Sequence, residues 1–246
     1  MKPRVKIAAA RTPDGSEMVL YQHDRDFYIE VNGQDLMQSR QHESELELAR
    51  LGCAHLVGRR GASVLVGGLG MGYTLRQTLD LLVPQAKVVV GELMEAVIAW
   101  NREYLGVLND HPLTDERVEL KNGNIVKLIA AAKARFDAIL LDVDNGPRAM
   151  TDVGNHRLYG YGGIEACRQA LRDQGCLAVW SAEPSKDYEQ LLVSCGFQPH
   201  KGSKSDSRFI WVASENPANL PPGGSEPRKP VKHASKGSRG PKMGSR

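Results

Sequence analysis

The 246-residue sequence predicts a doubly wound, Rossmann-like α/β fold with a small β-meander ahead of it and a basic tail behind it. Three observations carry this expectation. From residue 61 to about 212, short Leu/Val/Ile-rich runs alternate with stretches of helical period. The first of those runs stops at a glycine cluster, "VLVGGLGMGYTL" at 64–75, before a helical pattern begins. Residues 17–40 read differently, as alternating runs joined by polar turns.

Taken in order, "MVLYQ" and "DFYIEV" flank a polar "HDRD" turn, and "NGQ" makes a second turn before "DLMQS". A linking helix follows in "ESELELARLGCAHLVG", with Leu46, Leu48, Leu51 and Leu56 on its apolar side. Strands are then expected at 63–67, 87–91, 117–121, 137–142, 176–181 and 208–213, with helices near 73–83, 94–105, 124–134, 161–173 and 186–195. Strands separated by single helices need crossovers, and right-handed crossovers give a parallel sheet covered on both faces. "FDAILLD" is apolar without alternation, as burial on both faces requires. The expected units are 1–60, meander and linking helix; 61–215, a nucleoside-binding catalytic domain; and 216–246, a disordered basic tail.

Composition narrows the function classes. No run approaches the ~18 consecutive apolar residues of a membrane span, and "MKPRVKIAAARTPDG" lacks a secretory apolar stretch, so a soluble, cytoplasmic protein is expected. Cys53, Cys167, Cys176 and Cys195 are widely spaced with no CxxC pair, and the seven histidines show no ligand spacing. Buried reduced thiols and no metal are the corresponding expectations. Residues 221–246 hold seven Lys or Arg against one acid, so a total charge of +3 conceals a net acidic body. The tail reads either as a solubilising terminus or as a weak, salt-sensitive contact for an anionic partner. The acidic body has no basic face with which to read a duplex.

In open α/β sheets ligands sit outside the carboxyl ends of the strands, so the residues there are the candidates. The first strand ends at Gly67, Gly68, Leu69, Gly70 and Gly72, small enough for the backbone to turn sharply against a bound group. About 20 residues on, Glu92 ends the second strand, where an acid can accept both hydroxyls of a ribose. Asn124, after the third, suits either an adenine edge or a helix cap. After the fourth come Asp142 and Asp144 in "LLDVDNGP". Two acids so close on a turn repel each other, an arrangement repaid by a cation such as an amine or by proton transfer.

These parts in this order resemble the spermidine synthase (polyamine aminopropyltransferase) family, a branch of the class I S-adenosylmethionine methyltransferase fold. The resemblance spans residues 17–213: "LYQ" at 20–22, "SRQHESE" before the helix, "GGLGMG", Glu92 and "LLDVDNGP". It implies decarboxylated S-adenosylmethionine as co-substrate, a small amine as acceptor, Asp142 as base or amine-orienting residue, and Asp144, Tyr21, Gln22 and Tyr159 lining the acceptor side. It also implies association, a homodimer being expected here. The sequence departs from the family pattern at three places. Met71 stands where the family has a loop Asp for the aminopropyl ammonium, Asn145 replaces the second acid of its Asp-x-x-Asp motif, and Asn124 replaces its adenine-binding Asp. Two alternatives use the same fold: a small-molecule methyltransferase taking intact S-adenosylmethionine, and a non-catalytic protein that binds adenosyl ligands.

Overall fold

Two sheets share one apolar core in a computed structural model that describes residues 3–143, 156–201 and 209–221. The first is the meander, antiparallel and in chain order: β1 (Val5–Arg11), β2 (Glu17–His23), β3 (Asp26–Val31) and β4 (Gln34–Gln38). Asn32 and Gly33 turn β3 into β4 with φ of 48° and 75°, the left-handed pair that a two-residue type I′ hairpin requires. β1 is a strand that patterning does not signal, because three successive alanines carry no alternation. Its pairing with β2, from Val5 opposite Gln22 to Arg11 opposite Glu17, makes it a strand. Met18, Leu20, Phe27 and Ile29 face the main core. Strand alternation turns Val19, Tyr21 and Tyr28 to the opposite face.

After the linking helix α1 (Glu43–Cys53), the chain runs β5 (Ser63–Gly67), α2 (Tyr73–Leu81), β6 (Lys87–Glu92), α3 (Glu95–Trp100), β7 (Val118–Asn122), α4 (Ile125–Ala130) and β8 (Phe136–Leu141). Then come α5 (His156–Tyr159), α6 (Tyr161–Ala170), β9 (Leu171–Ser181), α7 (Lys186–Ser194), β10 (Gln198–Lys201) and β11 (Phe209–Ser214). The seven-stranded sheet has the order β10-β11-β9-β8-β5-β6-β7. Its strands are parallel except for β11, which pairs antiparallel with both β9 and β10. An all-parallel sheet, the expectation from alternation, is therefore corrected at this edge. α7 carries the chain past one position to β10, and a strand returning directly into that gap must run the other way.

Alternate residues along each central strand feed opposite faces. Val64, Val66, Val88, Val90, Ala138, Leu140, Cys176 and Ala178 pack in one core with helices α1 to α3 and the meander. Leu65, Val89, Ile139, Leu141, Leu177 and Val179 pack in the other with α4, α6 and α7. Gly52 lets α1 approach β8 closely: a Cβ there would lie 2.3 Å from Leu140 Cδ2. α6 stops at Ala170, three residues before its helical pattern ends, because Leu171 already pairs with Phe136 in the sheet. All four cysteines are free and buried. Residues 216–221, grouped with the tail by composition, include a 3₁₀ turn at Pro217–Asn219, and Asn219 Nδ2 donates to the Gln174 carbonyl.

Candidate active site

β5 sits where the strand order reverses, with β6 on one side and β8 on the other, and the carboxyl ends of these three strands meet there. Gly67 pairs with Gly91 and Leu141 across the two ladders. Gly68 (φ +91°) then leaves the strand so close to β8 that a Cβ would lie 2.2 Å from the Asp142 carbonyl oxygen. Only glycine fits that conformation and that gap. Gly72 N donates to Leu69 O at 2.8 Å, closing a turn, and Gly72 (φ +88°) starts α2.

Glu92 is the last residue of β6 and is 8 % exposed. Its Oε2 accepts from Leu69 N at 2.9 Å and its Oε1 from Met94 N at 2.8 Å. The glycine loop is thus tied to the neighbouring strand through this carboxylate. Burial pushes the Glu92 carboxyl above its ordinary value, opposed by main-chain N–H groups that favour the anion. The main-chain N–H groups of Leu69, Gly70, Leu93 and Met94 all favour this anion, so the carboxylate stands among donors beside the loop.

Asp142 follows β8 and is half-buried; Thr74 Oγ1, on the first turn of α2, donates to its Oδ2 at 2.7 Å. Thr74, itself 2 % exposed, is a site residue that the sequence reading misses. A hydroxyl two residues past the last loop glycine was the available signal. Asp144 lies outside the described residues, as does Asn145. Asn124 accepts from Val126 N at 2.8 Å and so caps α4. Tyr159 is 6 % exposed, and its hydroxyl donates to Val143 O at 2.8 Å, bracing the chain that leaves β8.

The meander closes over the loop. A Cβ on Gly70 would stand 3.5 Å from Met37 Sδ of β4. Tyr73 OH donates to Ser39 O at 3.0 Å, and the His42 ring stacks on Tyr73 with centroids 4.1 Å apart. Burial holds the Tyr73 phenol up at about 12, so it remains a donor. Gln22 shares the Leu20 face of β2, toward the core, and its Nε2 donates to Asp24 O. Tyr21 shares the other face, with Val19 and Tyr28, so adjacent positions on one strand do not bring this pair to one wall. Met71 is buried in the core, and no loop side chain supplies a carboxylate at its position. Among the described residues no group of three or more His, Cys, Asp or Glu side chains stands together.

Fold and site together define a Rossmann-like α/β protein of methyltransferase architecture, with its candidate site residues gathered at the switch point of the sheet. The spermine/spermidine synthase domain matches residues 49–193, and the chain belongs to that family. It is 30% identical over 152 residues to the polyamine aminopropyltransferase of Saccharolobus solfataricus, covering 62% of this chain and 49% of that protein. It is 29% identical over 152 residues to that of Saccharolobus islandicus, with the same coverage. The chain therefore spans about half the length of the curated relatives it matches. Among solved structures, a spermidine synthase in complex with the transition-state analogue AdoDATO superposes with a TM-score of 0.67 at 18% identity, over 88% of this chain and 76% of that one. Spermidine synthase from Thermotoga maritima gives 0.66 at 18%, with the same coverage. A probable spermidine synthase from Corynebacterium glutamicum gives 0.63 at 14%, over 88% and 81%. These superpositions establish the fold.

Proposed function

We propose that the protein is a transferase that moves the aminopropyl group of decarboxylated S-adenosylmethionine to a polyamine such as putrescine, releasing methylthioadenosine. The observation that carries this reading is the placement of Asp142 against Gly68 at the switch point, with Thr74 orienting its carboxylate. The residues present suit the adenosyl group. Gly68 lets the chain turn tightly beside β8 at the strand ends, Glu92 presents a carboxylate for the ribose hydroxyls, and Asn124 offers its carboxamide nitrogen to the base.

In the reaction, the amine nitrogen lone pair forms a bond to the methylene beside the sulfonium. The carbon–sulfur bond breaks, its electron pair neutralises the sulfur, and the amine proton passes to Asp142 or to water. Alignment of amine, methylene and sulfur supplies several kcal/mol of the barrier reduction, roughly 7–11 in the best intramolecular cases. A positioned carboxylate base adds about 10²–10⁴-fold. Asp144 is the second acid of this proposal, with Gln22 and Tyr159 on the acceptor side; Tyr159 acts there through Val143. A homodimer, a cytoplasmic setting and an anionic partner for the basic stretch 221–246 belong to the same reading. No helix among the described residues is long and apolar enough to cross a membrane.

Buried Met71 favours one second reading. Without a loop carboxylate to select the aminopropyl ammonium, the site suits methyl transfer from intact S-adenosylmethionine to a small molecule. Isothermal titration with both donors and with methylthioadenosine, followed by product analysis with putrescine, separates the readings. Tighter binding of the decarboxylated donor with methylthioadenosine released is the expected result. Preference for the intact donor moves the assignment to methyl transfer, and binding without any product moves it to a non-catalytic adenosyl-binding protein.

A further inference from the structure

Two buried carboxamides contact the glycine loop. Asn101 is 3 % exposed and Asn109 is 6 % exposed. Asn101 Nδ2 donates to Gly70 O at 2.8 Å and also to Val97 O at 2.9 Å; Asn109 Nδ2 donates to Met71 O at 2.7 Å. Two successive loop carbonyls are therefore each held by a buried carboxamide, while Leu69 N of the same loop is held by Glu92. Gly72 is enclosed by the same pair: a Cβ there would lie 3.2 Å from Asn101 Oδ1 and 3.4 Å from Asn109 Nδ2.

The backbone is irregular where it delivers them. α3 widens into a π-helical turn over Asn101–Leu105 and then tightens into a 3₁₀ turn over Gly106–Leu108. Asp110 and His111 follow in left-handed conformations, at φ of 54° and 48°. Single π turns inside α-helices concentrate at functional sites. Asn101 also lies on the apolar stripe formed with Val97 and Leu105, four residues to either side, and both of these are buried. An apolar residue would match that stripe but could not donate to Gly70 O. The carboxamide instead leaves its Oδ1 buried with no hydrogen-bond partner among the described residues. A polar group kept at that cost calls for an account beyond packing, and the contact it makes is with the loop.

We propose that Asn101 and Asn109 are positioning residues for donor binding: they preform the 68–72 loop so that the adenosyl group meets it already shaped. The proposal rests on the adenosyl-donor reading above. It assigns the pair to donor affinity and donor KM, and leaves the transfer step to Asp142.

The test compares wild type with Asn101→Asp and Asn109→Asp, which keep the side-chain shape and remove the donated hydrogen bond. Where a carboxylate prevents folding, Asn101→Leu and Asn109→Leu take its place. Leu192→Ala, a core truncation on α7, supplies a loss of stability remote from the loop. Methylthioadenosine affinity is read by titration, loop protection by amide hydrogen exchange over 68–76, and donor KM and kcat by product release. Each loop variant is expected to bind methylthioadenosine about tenfold more weakly, or ~1.4 kcal/mol, with faster loop exchange, a raised donor KM and an unchanged kcat. Leu192→Ala is expected to change none of these. Wild-type affinity and exchange in the loop variants overturn the proposal, as does an equal loss of affinity in Leu192→Ala. If wild-type protein binds no adenosyl ligand, the functional reading fails by itself. Loop exchange then decides preformation separately: faster exchange in the variants upholds it and unchanged exchange overturns it.

Discussion

β8 has an aspartate near each end, and the two are held by different chemistry. Asp137, its second residue, is 1 % exposed; Oδ2 accepts from Ser63 N at 2.8 Å and from Arg172 at 2.7 Å, and Oδ1 stands 3.0 Å from Arg59. Asp142, just past the other end, is half-buried, takes the Thr74 hydroxyl and abuts the glycine turn. At the amino end of the sheet the carboxylate ties β5, β8 and β9 together through a main-chain N–H and two cations. At the carboxyl end it is oriented by a neutral hydroxyl beside the glycine turn. One residue type on one strand thus serves as a fastener at one end and as a candidate reagent at the other.

Asp142→Asn gives the sharpest test of that difference. Turnover is expected to fall by about 10²–10⁴-fold, with methylthioadenosine affinity nearly unchanged when read by titration. Unchanged turnover would remove Asp142 from the reaction and erase the contrast. Asp137→Asn is expected to do the reverse. Melting should show a loss of about 1–3 kcal/mol, since one acceptor of a buried network is compromised while Arg59 and Arg172 are each more than a third exposed and regain water. Its kcat, measured below the melting transition, should stay at the wild-type value.

The smallest effect expected is a pH dependence from Glu92 at the end of β6. Because burial raises its proton affinity, donor binding should weaken on acidification at pH values above the ordinary glutamate range, as the protonated carboxyl loses acceptor capacity. In the unligated protein the native state holds this proton more tightly than the unfolded chain does. Its contribution to stability therefore falls as pH rises from the ordinary glutamate value through the raised one. Titration of methylthioadenosine across that range reads the first effect, and Glu92→Gln should abolish the pH step.

Much of the architecture was legible because it is written in short-range patterns. The apolar runs of β5, β6 and β8 call for burial on both faces, and "NGQ" places a hairpin turn at Asn32–Gly33 where it is found. β1 was not legible, since Ala8, Ala9 and Ala10 carry no period, and its strand character comes from pairing with β2. Within the site, Gly68, Glu92 and Asp142 were readable from their positions at strand ends. Asn101 offered a weaker signal, a polar residue on an apolar helical stripe, and the patterned helix over 94–105 gave no hint of a π turn.

By itself, the sequence determined the alternation of strands and helices, the glycine turn after β5 and the acids at the ends of β6 and β8. Each of these is a local property of composition and spacing. Only the tertiary structure decided that β11 reverses into the gap beside β9, that Tyr21 and Gln22 face apart, and which polar groups meet. Thr74 and Asp142 are 68 residues apart, Asn109 and Met71 38, and Asn101 and Gly70 31. Local patterns specify which way a side chain faces along its own element. The partner it finds there depends on how the helices pack across the sheet.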